Sequence, residues 1–119
     1  MQLSFVALAA LAVLSPVSAL LLDTPVGPTI AGDTTTIFWE TAPGDPTEFD
    51  LVLVPAAGGP ERLLIEAVIP TAQGSITVPV PCVPEGSYIW EATAASSLFD
   101  VLSSTAPIEI TVGPRCLPT

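Results

Sequence analysis

From Pro84 to Thr93 the chain reads Pro-Glu-Gly-Ser-Tyr-Ile-Trp-Glu-Ala-Thr. A turn built from Pro and Gly runs straight into strict alternation. Side chains alternate faces along a strand, so Tyr88, Trp90 and Ala92 share one face, and Ile89, Glu91 and Thr93 the other. In Greek-key sandwiches a tyrosine often stands two residues before the central core position of such a strand. Its hydroxyl returns to the preceding turn and pins the corner. Tyr88 and Trp90 have that spacing. The segment predicts a central sandwich strand with Trp90 as core anchor and Tyr88 as corner brace.

The rest of the chain repeats the pattern in short runs. Leu20 to Asp23 reads as an edge strand, and Val26 to Gly32 as turns. Thr34 to Thr41 alternates, with Thr35, Ile37 and Trp39 on one face, so Trp39 is placed opposite Trp90 across the core. Ala42 to Pro46 is a loop, because two prolines and a glycine exclude regular structure. Phe49 to Val54 turns Phe49, Leu51 and Leu53 inward. Arg62 to Ile69 alternates too, although its Leu, Glu and Ala also suit a short helix. Ser75 to Val80 sends Ile76, Val78 and Val80 inward, and Pro79 argues for an edge position or a strand about to leave the sheet. Ser96 to Thr105 reads as a loop carrying Leu98, Phe99, Val101 and Leu102. Pro107 to Val112 is the last strand. About seven short strands separated by Pro/Gly turns predict an all-β, Ig-like or fibronectin-III-like Greek-key sandwich.

Residues 1–19 read as a signal peptide. Met1 to Leu14 is apolar, Ser15-Pro16 breaks the run, and Val17-Ser18-Ala19 supplies small residues before a cut. The break falls short of the roughly 20 apolar residues an anchor helix needs. One domain, residues 20–119, then remains. It carries all twelve acids of the chain against two arginines, Arg62 and Arg115, and the net charge is −10. Such a surface repels nucleic acid and anionic membranes. A secreted chain with two cysteines defaults to one disulfide, here Cys82–Cys116, contributing roughly 3–4 kcal/mol. A metal or redox pair fits poorly, because there is no His and no Cys-x-x-Cys spacing. The strand order agrees: the turn before Gly86 and the end of the last strand fall at one pole.

Taken in order, Thr24-Pro25, Gly27, Ala31-Gly32, Thr36-Ile37-Phe38-Trp39, Phe49-Asp50-Leu51-Val52-Leu53, Gly74-Ser75-Ile76-Thr77-Val78-Pro79 and Pro84-Glu85-Gly86-Ser87-Tyr88-Ile89-Trp90 resemble a known pattern. It is that of the N-terminal Ig-like domain of the Kre/Knh yeast cell wall synthesis family and the related Ser/Thr-rich GPI-anchored wall proteins. The resemblance covers about Leu20 to Val112. It implies a secreted, non-enzymatic, wall-associated domain linked to β-glucan assembly or wall organisation. Those proteins often add a Ser/Thr-rich stalk and a GPI signal. Here Cys116-Leu117-Pro118-Thr119 supplies neither spacer nor apolar tail, so no GPI anchor is expected.

The residues themselves limit the chemistry. Nucleophilic catalysis needs a base beside the nucleophile, and the sequence has no His or Lys. Two carboxylates across a sugar cleft would suffice for glycoside hydrolysis, but a small sandwich rarely forms such a cleft. Asp45, Glu48, Asp50 and Asp100 gather toward one pole, yet match no calcium-loop spacing and read as solvated acids. The expectation is therefore no enzyme, no cofactor and no metal. Phe38 and Phe99 are the aromatics left for sugar stacking. Phe99, with Leu98, Val101 and Leu102, makes an apolar loop tip that either caps the core or forms a contact patch. The expected partner is wall polysaccharide or a wall protein. The alternative is a secreted recognition module, a carbohydrate binder or effector, docking through that loop.

Overall fold

A computed structural model describes residues 20–58, 61–95, 97 and 99–116. The proposed signal peptide and Leu98 lie outside the described residues. Among the described residues nine strands form in chain order: β1 (Leu21–Leu22), β2 (Thr29–Ala31), β3 (Thr34–Glu40), β4 (Glu48–Pro55), β5 (Leu63–Pro70), β6 (Ser75–Pro79), β7 (Gly86–Ala94), β8 (Val101–Ser104) and β9 (Ile108–Val112). They make two sheets. A three-stranded sheet has the order β1-β3-β6; a six-stranded sheet has the order β2-β9-β7-β4-β5, with β8 also on β7. The chain is an all-β sandwich, as the alternating runs predict.

The inward faces are the expected ones. Ile37 and Trp39 of β3, Phe49, Leu51 and Leu53 of β4, and Trp90 and Ala92 of β7 are buried in one cluster. Trp39 comes from the smaller sheet and Trp90 from the larger, so the two indoles enter the core from opposite layers. Trp39 meets Phe49 edge to face, with centroids 4.9 Å apart and planes at 87°, a geometry that aromatic quadrupoles favour. Its indole N–H donates to the Thr71 carbonyl at 2.8 Å. Pro79 lies on β6, which pairs only with β3, so the edge position holds.

Two segments read as turn or loop are strands. Thr29–Ala31 is too short between Pro28 and Gly32 to show a period, but it runs parallel to β9 and extends the larger sheet. Between β1 and β2 the chain therefore crosses from one sheet to the other through residues 23–28. Val101–Ser104 pairs antiparallel with β7, opposite Glu91 to Thr93. Its Leu102 is partly buried and packs against the core. β8 and β9 share one edge of β7, interrupted at Thr105-Ala106-Pro107. Pro107 has no N–H to offer a ladder. Thr105 repairs the gap: its N–H donates to the Trp90 carbonyl at 3.0 Å, and its Oγ1 accepts the Trp90 N–H at 3.2 Å. A buried backbone donor is thus satisfied where the strand is broken.

Arg62 to Ile69 resolves as strand rather than helix. Its Ile and Val residues suit a pleated surface, and β4 offers a partner along its length. The pairing is irregular between Phe49 and Val52. Val68 takes φ 55 there, an uncommon value for a β-branched residue. The buried carboxylate of Asp50 accepts the Val68 N–H at 2.8 Å, which stabilises the bulge. A bulged, twisted edge strand is a poor template for another chain.

At one pole the expected disulfide joins Cys82, between β6 and β7, to Cys116, just past β9, with Cα atoms 5.4 Å apart. Gly32 lies beneath it at φ +93, and a Cβ there would come 2.9 Å from the Cys116 sulfur. Only glycine fits this left-handed position under the bridge. The same turn exchanges backbone bonds with Val80: Gly32 N–H to its carbonyl at 2.9 Å, and Val80 N–H to the Asp33 carbonyl at 2.7 Å.

Tyr88 donates its hydroxyl proton to the Pro84 carbonyl at 2.7 Å, closing the predicted corner. Tyr88→Phe removes that bond and keeps the ring. The expected cost is about 1 kcal/mol, which lowers Tm by about 4–8 °C in a domain of this size. A thermal melt followed by circular dichroism measures it.

Candidate functional site

Phe99, in the segment after β7, lies against Arg62 on the outer face of the larger sheet. Register fixes which side chains project there. Val52 of β4 is paired on one side with Glu91 of β7 and on the other with Leu64 of β5. Glu91 lies on the face of β7 opposite Trp90, so this row points away from the core. Arg62, two residues before Leu64, reaches back over the row. Its Nη2 donates to Glu91 Oε1, so the ion pair spans β4, and Val52 beneath is fully buried.

The same guanidinium lies over the Phe99 ring, 5.3 Å from its centroid. That distance is within reach of a cation–π attraction. Phe99 is nevertheless 79% exposed. Val101 follows at 43% exposure, paired with Thr93 at the start of β8. Leu64, 49% exposed, continues the patch across β5. Of the four loop residues singled out from the sequence, Phe99 and Val101 are surface groups. Leu102 is partly buried and packs against the core; Leu98 is outside the described residues.

Sequence reasoning missed Arg62 and Leu64 as members of this face. A signal was available. Arg62 is one of two cations in a strongly acidic chain, and Leu64 repeats its face at strand spacing. An outward Leu beside an outward Arg on an alternating segment marks a surface that is neither core nor plain solvent face.

Asp45, Asp50 and Glu85 take structural roles. Asp45 Oδ2 accepts the Ala42 N–H at 2.7 Å and closes the loop before β4. Asp50 is buried and holds the Val68 bulge. Glu85 Oε2 accepts the Val112 N–H at 3.2 Å and links the corner to β9. Among the described residues no three His, Cys, Asp or Glu side chains converge as metal ligands. None of the helices described there is long and apolar enough to cross a membrane.

The chain matches no protein-family model, and a search of curated proteins gives no match.

Proposed function

We propose that this chain acts outside the cell as a non-catalytic, wall-associated recognition domain, docking through the face of Phe99, Val101, Leu64 and Arg62. The exposed Phe99 ring carries the reading. An exposed aromatic packed against the Arg62–Glu91 ion pair, at the rim of a sheet, offers a flat apolar surface. Wall polymers and wall proteins present sugar faces and apolar groups that such a surface engages.

Three further observations support it. The Cys82–Cys116 disulfide is consistent with an extracellular location. With no His or Lys in the sequence, no His- or Lys-based nucleophilic machinery can be assembled. The ordered resemblance to the Kre/Knh wall family points to the same compartment and to wall organisation. The same face would also serve a secreted module that acts away from the wall, and binding to insoluble polymer separates the two.

The test is a pull-down of the disulfide-bonded chain on insoluble β-glucan and on chitin. Retention on one of them is expected, with Phe99→Ala retained roughly tenfold less, equivalent to about 1.4 kcal/mol. Equal retention of the two proteins removes Phe99 from the site. No retention of either rejects polysaccharide docking and leaves a protein partner for the face.

A further inference from the structure

The opposite layer carries a second feature that the Phe99 face does not use. Phe38 projects from the outer face of β3 and is 54% exposed. Beside it opens a groove of about 420 Å³, lined by Asp23, Thr24, Pro25, Val26, Thr35, Thr36 and Phe38. That volume falls in the range of about 300–1,000 Å³ usual for small-molecule sites. The crossover from β1 to β2 makes one wall and β3 the other. The crossover is anchored at its root, where the Asp23 N–H donates to the Phe38 carbonyl at 2.9 Å.

The lining has a defined chemistry. Phe38 supplies an apolar platform, and Val26 an exposed apolar lip. Asp23 supplies a carboxylate, which accepts hydroxyl protons strongly. Thr24 Oγ1 already accepts the Ala106 N–H at 3.0 Å, so its own proton remains to donate. Thr36 and Thr77 share a hydroxyl–hydroxyl bond of 2.8 Å, which fixes the Thr36 side chain at the groove. Neither arginine is among the lining residues. A second groove, also of about 420 Å³, lies across the crossover and shares Thr24 and Pro25 with the first. Glu109, Thr29 and Thr111 line it, again without a cation. Two grooves meeting at one ridge form a path for an extended chain rather than a seat for one ring.

We infer that these joined grooves bind a neutral glycan chain, one sugar stacking on Phe38 and its hydroxyls donating to Asp23. An anionic glycan would face two carboxylates, a net charge of −10 and no compensating cation. An apolar peptide would leave Asp23 and the Thr hydroxyls without partners. The inference does not depend on the Phe99 face, none of whose residues lines either groove.

Calorimetric titration of the disulfide-bonded chain with soluble laminari-, cello- and chito-hexasaccharides tests it, with oligogalacturonate as the anionic comparison. Binding of at least one neutral oligomer is expected, and none of oligogalacturonate. Phe38→Ala should weaken binding roughly tenfold or more. Asp23→Asn, which keeps the shape and removes the charge, should weaken it several-fold, and Glu66→Gln, exposed on β5 and lining neither groove, should leave it unchanged. The inference is overturned if no neutral oligomer binds, if oligogalacturonate binds better, or if binding survives Phe38→Ala and Asp23→Asn. Loss of binding through Phe99→Ala alone would transfer the glycan to the other face and also overturn it.

Discussion

Trp90→Ala should come close to unfolding this domain. The indole is fully buried in the larger sheet and belongs to the same core cluster as Trp39, Phe49, Leu51 and Leu53. Truncating a buried aromatic leaves a cavity that the flanking strands cannot close, and costs about 3–5 kcal/mol. Domains of this size hold a total of about 5–15 kcal/mol. A urea titration should show the midpoint falling sharply with little change in slope, the mark of lost stability without a new denatured state. Trp90→Phe refines the test. Among the described residues the indole Nε1 of Trp90 is buried without a hydrogen-bond partner. Phenylalanine removes that unsatisfied donor and keeps most of the apolar volume, so its cost should be well below that of alanine. A loss below about 1 kcal/mol for Trp90→Ala would mean the ring is not a core group.

Removing the disulfide should be the second large loss. Cys82 and Cys116 are 34 positions apart and tie the β6–β7 connection to the chain after β9. In the chain-entropy model a closed loop of this length is worth roughly 3–4 kcal/mol. The double variant Cys82→Ser/Cys116→Ser should lose that amount in urea titration, and reductant should bring the parent chain to the same level. The contribution acts at one pole, where Gly32 seats the bridge and Val80 pairs with the turn. Protection of the Gly32 and Val80 amides from hydrogen exchange should therefore fall first. Unchanged stability in reductant would show that the pole is held by its backbone bonds alone.

The architecture was legible where local rules and tertiary packing agree. Tyr88 and Trp90 announced both strand and corner because turn chemistry and alternation coincide there. The cysteines could be paired because the predicted strand directions bring the two ends together. Legibility failed where a segment takes its structure from a neighbour. Thr29–Ala31 has no period of its own and is a strand because β9 has a free edge beside it. Val101–Ser104 borrows β7 in the same way, and the break at Pro107 hid its continuity with β9.

Sites followed the same division. Phe99 stood out as an apolar residue in a predicted loop, which local sequence can reveal. Its partner Arg62 lies far away in sequence and comes near only through the β4–β5 and β4–β7 pairings. The Phe38 groove is a sharper case. Its aromatic was visible, but its second wall is the crossover between sheets, and that exists only because β1 and β2 belong to different layers. Leu102 shows the converse, an apolar residue that pairing packs against the core.

Intact-mass measurement of the chain recovered from culture filtrate and from wall extract tests the central claim most directly. The account predicts recovery outside the cell, with a mass starting at Leu20, two hydrogens lighter than the reduced chain, and enrichment in the wall fraction. A chain recovered only inside cells, with Met1 or both thiols intact, would contradict it.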